Sequence, residues 1–202
     1  MFILGKFMRN RFRLVITGNP GVGKHTSAKL IAKKFRGSKI IDINEVALVN
    51  NAILDDNGKY GISIDIKKVS KLIAQETKTN AEGLILVGHL APYVIDPGRI
   101  TIAIVLRRSP YELISVFQQR HYTSEKAREN IASEILGVSL YDSVMSFGKD
   151  KIAEVDTTGE IPARTSTKIV SLLQKKLRPQ IGFVDWLSLV NKNGDLERFL
   201  EY

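Results

Sequence analysis

The sequence has no cysteine among its 202 residues, which excludes a disulfide framework, a thiolate zinc site and a cysteine nucleophile. It also lacks any apolar run near the roughly 18 residues that a membrane-spanning helix needs. The opening Met1-Phe2-Ile3-Leu4-Gly5 is too short for the apolar part of a signal peptide, and basic residues follow it instead of preceding it. A soluble cytoplasmic chain with no membrane contact is the expectation. A third shortage is local. Residues 1–41 hold ten Lys or Arg and no acid, whereas the remainder holds 20 basic against 21 acidic residues. The formal charge of +9 is therefore a property of the N-terminal segment, not of the whole surface. Such a segment suits contact with RNA or another polyanion, or is simply a solvated face. The length fits one domain, or one domain with an appendage.

What is present is the stretch Thr17-Gly18-Asn19-Pro20-Gly21-Val22-Gly23-Lys24-His25-Thr26. An apolar run, Leu14-Val15-Ile16, precedes it, and Ser27 to Phe35 follows with helical spacing. Strand, glycine-rich turn, lysine and helix form the context of a phosphate-binding loop. The glycines let successive backbone N–H groups turn toward an anion, where a side chain would be in the way. The helix N-terminus adds partial positive charge, and Lys24 reaches the outer phosphates as a mobile cation. Gly18, Pro20, Gly21, Val22, Gly23, Lys24, His25 and Thr26 are thus the candidate nucleotide-binding residues. The strict motif asks for Ser or Thr directly after the lysine, to hold magnesium. Here that residue is His25, and Thr26 comes one place late.

Further along, Lys39 to Ile43 reads as a strand and Asn44 to Asn51 as a helix that breaks at Asp55-Asp56-Asn57-Gly58. Ile66, Val69, Leu72 and Ile73 lie on one helical face, with Asp65 as its N-cap. Gly83 to Gly88 and Thr101 to Leu106 are continuous apolar runs, as strands covered on both faces should be. His89 follows the first and Arg107-Arg108 the second. Ser109-Pro110 starts a helix reaching about Arg120, and a longer one is expected from Ser124 to about Phe147. Lys151 to Val155 is the last core strand, and Pro162 to Leu177 a closing helix. Beyond Pro179, Trp186 and its neighbouring aromatics Phe183, Phe199 and Tyr202 read as packing residues of a helical tail. Alternating strands and helices mean an α/β fold with a parallel sheet flanked by helices.

These residues carry a resemblance. Alongside the loop stand Val105-Leu106-Arg107, Gln119-Arg120-His121-Tyr122, Lys126, Glu129-Asn130-Ile131 and Glu134. The set resembles the adenylate-kinase-like P-loop proteins of ribosome assembly, which in eukaryotes act late in small-subunit maturation. The resemblance spans roughly residues 12–177, and the stretch from Phe183 to Leu187 is similar to an extension of archaeal members, implying an archaeal source. It implies a five-stranded nucleoside-monophosphate-kinase fold with an acceptor-binding insert (about 42–80) and a small lid (about 118–128). Residues 1–11 would then be a basic extension and 178–202 a C-terminal tail. It further implies ATP and Mg2+ as cofactors, AMP as acceptor, and weak adenylate kinase and ATPase activities. A platform protein of the small ribosomal subunit is the implied partner, and the basic charge of residues 1–41 makes that segment the candidate for rRNA contact. Arg107 and Arg120 would clamp phosphates, and His89 matches the family's histidine after the third apolar strand. His121 reads as a neutral surface residue.

Three positions depart from the pattern. His25 replaces the magnesium hydroxyl, although the order Lys24-His25-Thr26 keeps the threonine spacing of simpler adenylate kinases. Val87 stands where the family usually has an acid that helps hold the metal, and Leu48 where adenylate kinases carry an acceptor-phosphate arginine. No residue is singled out as a direct metal ligand. Three readings follow. The first is phosphoryl transfer by Lys24, Arg107, Arg120 and His89 from ATP to AMP or water. The second is a nucleotide-dependent assembly factor that is a weak catalyst. The third is a metabolic nucleoside monophosphate kinase.

Overall fold

The computed structural model describes residues 11–56 and 62–200. The basic extension up to residue 10, the Asn57-Gly58 part of the expected turn, and Tyr202 lie outside the described residues. In chain order the elements begin with β1 (Phe12–Thr17), α1 (Lys24–Lys34), β2 (Ser38–Asp42) and α2 (Ile43–Val49). A short antiparallel hairpin, β3 (Ile53–Asp56) with β4 (Ile62–Ile64), precedes α3 (Ile66–Glu76). Then come β5 (Gly83–Val87), α4 (Ala91–Val94), β6 (Ile102–Arg107), α5 (Pro110–Gln119), α6 (Ser124–Ile135) and α7 (Val138–Phe147). The chain continues through β7 (Ile152–Asp156), α8 (Pro162–Leu173), α9 (Trp186–Lys192) and α10 (Leu196–Leu200). Among the described residues, no helix is long and apolar enough to cross a membrane.

The main sheet has five strands in the order β2-β5-β1-β6-β7, every neighbouring pair parallel. This is the α/β arrangement that the alternating pattern predicts. The run Leu14-Val15-Ile16 is apolar at every position because β1 is central and both its faces are covered. Val15 faces one core with Leu86, Val105, Ile73 of α3, Val94 of α4 and Phe147 of α7. Leu14 and Ile16 face the other, with Ile31 of α1 and Ile169 of α8. Each such aliphatic side chain contributes on the order of 2 kcal/mol by leaving water. Together they hold the C-terminal end of β1 in place, and there the phosphate loop begins.

Three expectations need correction. The single helix expected from Ser124 to Phe147 is two, because Gly137 adopts φ 68° and the chain turns between α6 and α7. A left-handed residue cannot continue a helix, and glycine adopts that conformation without a Cβ clash. The closing helix α8 ends at Leu173, with Lys175 left-handed just after it. The hairpin β3–β4 and helix α4 were not anticipated, being too short to give a periodic signal. Asp65 does cap α3, its carboxylate accepting from Lys68 N. At the C-terminus, Trp186, Val190 and Phe199 form a third core with Leu113 and Phe117 of α5 and Ile131 and Ile135 of α6. Trp186 and Phe199 are thus packing residues, as read, whereas Phe183 is exposed.

Candidate active site

The loop from Gly18 to Gly23 joins β1 to α1 at the C-terminal edge of the sheet. Gly18 is required by space as well as by conformation: at φ 129°, a Cβ there would lie 2.4 Å from the carbonyl oxygen of Leu106. Val22 is fully buried beneath the loop. The Thr157 hydroxyl, 2.9 Å from Arg107 O and 3.3 Å from Val22 O, ties the loop to the segment after β7. No side chain caps the N-terminus of α1, so its first-turn N–H groups face the loop. Lys24 is only 6% exposed, and its Nζ donates to Gly18 O at 2.9 Å and Asn19 O at 2.8 Å. Burial, followed by the nearby Arg120 cation, lowers its pKa to about 8, against the opposing charges of Glu134 and Asp42.

Beside the loop is a cleft of about 270 Å³, whose lining includes Gly21, Thr26, Arg108, Arg120, Thr157 and Pro162. Arg120 stands at the C-terminus of α5, at the corner where α5 turns into α6. Tyr122 stacks on Phe117 with ring centroids 5.0 Å apart, and Lys126 Nζ lies 4.8 Å from the Tyr122 ring centroid, so this corner is packed and not a free loop. His121, exposed and left-handed at φ 54°, makes the turn.

Arg107 is not brought to this cleft, contrary to the expectation that it clamps a phosphate. Its side chain is 2% exposed, and its Nε and one terminal nitrogen are held by Glu134 at 2.7 Å and Glu154 at 2.6 Å. The other terminal nitrogen donates to the Glu134 carbonyl at 2.8 Å. The next residue, Arg108, lines the cleft instead, braced by Glu112 at 2.8 Å and reaching Gly21 O at 3.3 Å.

On the other flank of the loop, His25 is exposed and its Nε2 lies 2.6 Å from Asp42 Oδ2. The other oxygen of Asp42 accepts from Asn44 N and Glu45 N, capping α2. Asp42 was not singled out from sequence. Its position is nonetheless informative, because in the sheet ladder Asp42 pairs in register with Val87. An acid is thus present at this edge, one strand away from the position expected to carry it. His89 sits just beyond β5, close enough to Lys24 and Asp42 to feel both. Partial burial, and then the Lys24 charge, depress its pKa below the ordinary imidazole value, with Asp42 opposing. Leu48 is exposed on α2.

Among the described residues, no group of three His, Cys, Asp or Glu side chains is placed to hold a metal by itself. Mg2+ does not need one, since it keeps several waters and binds through one or two carboxylates plus substrate phosphates. The Asp42 carboxylate, at the sheet edge beside the phosphate loop, fits that requirement.

A family model described as an AAA domain matches residues 14–137, which covers the loop, both flanks and α6. The chain belongs to this family. Archaeal relatives extend the likeness over most of the chain. A protein of Methanococcus maripaludis named "Putative adenylate kinase" is 35% identical over 179 residues, covering 86% of this chain and 94% of the relative. A relative of the same name from Saccharolobus islandicus is 30% identical over 192 residues, covering 93% and 92% of the two chains. Among solved structures, the thymidylate kinase of Candida albicans aligns with a TM-score of 0.55 at 13% identity, over 83% of this chain and 92% of that one. The shikimate kinase of Aquifex aeolicus aligns with a TM-score of 0.51 at 14% identity, over 82% and 98%. These structures show a shared P-loop kinase fold.

Proposed function

We propose that the protein transfers the γ-phosphoryl group of ATP to AMP, and to water when no acceptor is bound. The observation that carries this reading is the buried Lys24 at an uncapped helix N-terminus, beside a cleft lined by two further cations, Arg108 and Arg120. The transferring group passes through a loose, charge-rich transition state, so positioning and neutralisation supply most of the catalysis. Lys24 and the α1 amides hold the β- and γ-phosphates, while Arg120 and Arg108 neutralise charge from the cleft side. The base and ribose lie between the α5–α6 corner and the Thr157–Pro162 segment. His89, neutral at neutral pH, stands on the acceptor side with Asp42. Asp42 would hold Mg2+, which when bound draws charge off the phosphate oxygens. In this reading residues 42–80 are the acceptor insert and 118–128 the lid, and the protein works in the cytoplasm of an archaeal cell.

The test incubates purified protein with ATP and Mg2+, with and without AMP, and separates ADP from inorganic phosphate. ADP formed in step with AMP consumption is expected, with slower phosphate release in its absence. Failure to bind ATP would overturn the proposal.

A second reading, assembly of the small ribosomal subunit, is favoured by the basic N-terminal region. Lys29, Lys33 and Arg36 are exposed along α1 and the turn after it. The test is binding to rRNA or to a platform protein at several salt concentrations, with and without nucleotide; salt-dependent affinity that changes when nucleotide is added is the expected result. Affinity that ignores nucleotide would remove this reading.

A further inference from the structure

A buried polar network lies behind the phosphate loop. Asn19, the second loop residue, has both ends of its amide engaged. Its Nδ2 donates to Glu134 Oε2 at 2.8 Å, and its Oδ1 accepts from Ser133 at 3.1 Å and Ser139 at 3.0 Å. The α6–α7 break at Gly137 is what places Ser133, Glu134 and Ser139 around one side chain. The second oxygen of Glu134, Oε1, accepts from Arg107 Nε at 2.7 Å, Arg108 N at 3.1 Å and Trp186 Nε1 at 3.1 Å. Arg107 passes the network on to Glu154, whose other oxygen accepts from Gly182 N at 2.8 Å and Phe183 N at 3.2 Å. The side chains of Arg107, Glu134 and Glu154 are all buried to 2% exposure or less. The charges balance when Lys24 is included, with two carboxylates against two cations.

This exceeds what holding the C-terminal segment would need, since α9 and α10 already have an apolar core beneath them. We infer that Glu134, held in turn by Trp186, is a positioning residue for phosphoryl transfer. It fixes the Asn19 end of the phosphate loop and so the point from which Lys24 Nζ, bonded to the Asn19 carbonyl, reaches a phosphate. The inference rests on the reading that this loop holds the phosphates of ATP. It brings residues 182–186, remote in sequence, into the support of the catalytic lysine. Buried networks of this kind are fully satisfied or costly, so losing one donor is transmitted along it.

The test compares the full-length wild type with Trp186→Phe, which removes one N–H donor and keeps an aromatic ring, and with Val190→Ala, which loosens the same helix without touching the network. Thermal midpoint, ATP dissociation constant, kcat and KM are measured for each. Trp186→Phe is expected to lower kcat roughly tenfold, the scale of one hydrogen bond to a charged group, with KM for ATP changing less than about threefold. Val190→Ala should lower the thermal midpoint and leave kcat near wild type. If Trp186→Phe leaves kcat unchanged, or both variants lose kcat in proportion to their lost midpoint, the network is only structural and the inference fails. Wild type that does not bind ATP would overturn the proposed function first, and this inference with it.

Discussion

The two flanks of the phosphate loop hold polar side-chain contacts of nearly equal length in opposite surroundings. Arg107 and Glu134 are 2.7 Å apart with almost no exposure, whereas His25 and Asp42 are 2.6 Å apart with the histidine side chain half exposed. The difference lies in the medium. In the dry flank, neither partner can be removed without stranding a charge. In the wet flank, water replaces a lost partner and the contact contributes little. The dry flank therefore acts as a rigid support, and the wet flank is free to reorganise around phosphates, acceptor and cation.

The sharpest way to break this contrast is to remove the central carboxylate of the dry flank. Glu134→Ala leaves the buried Arg107 with Glu154 as its one carboxylate partner and Asn19 Nδ2 without its acceptor, and should cost about 3–5 kcal/mol of stability, read from a urea midpoint. A loss below about 1 kcal/mol would show that water enters this flank as well.

Lys24 comes next, because it joins the two sides. Lys24→Met should cut kcat/KM about 10²- to 10³-fold, the range for removing one preorganised charge-stabilising group, yet raise the thermal midpoint. Burial holds the Lys24 pKa near 8 against the ordinary lysine value of 10.5, on the order of 3 kcal/mol against keeping the charge in the folded state. The sign follows from proton counting. Between pH 8 and 10.5 the unfolded lysine is protonated while the folded one is not, so wild-type stability should rise with pH through that window. Lys24→Met should remove the rise, and wild-type affinity for ATP should fall as pH passes 8. Wild-type stability without that rise would mean that Lys24 is not desolvated.

Arg120→Ala touches the cleft without touching the network. It should reduce kcat/KM about 10- to 100-fold through the loss of a charge-assisted hydrogen bond, with the thermal midpoint unchanged. A large midpoint drop would place Arg120 in the support and not in the cleft. The smallest effect belongs to His25→Ala, which breaks only the wet pair. Its stability should stay within about 0.5 kcal/mol of wild type, and a larger loss would show that the two flanks are not different in kind.

Much of this was legible in the sequence. The loop from Gly18 to Thr26, the strands of the parallel sheet and the α5–α6 corner with Arg120 follow from glycine spacing, apolar runs and the Ser109-Pro110 start. The choice between Arg107 and Arg108 was not legible. A strand covered on both faces loses its alternation, so nothing in Ile102 to Leu106 says which of the two arginines turns inward. Glu134 stood in plain view as part of a motif, but its partners Asn19, Arg107 and Trp186 are 115, 27 and 52 positions away. Asp42 was passed over because its pairing with Val87 is a matter of sheet register, which no local pattern encodes. Gly137, inside an otherwise helical stretch, was the one available sign that α6 and α7 are separate.

The sole tryptophan of the chain is Trp186, and its indole N–H points at the carboxylate that holds the phosphate loop. Indole fluorescence responds to just such a nearby charge and to the loss of a hydrogen bond. The protein therefore carries its own optical reporter, wired to its proposed site without any label. A shift in emission on adding ATP would follow loop rearrangement in real time, in the unmodified chain.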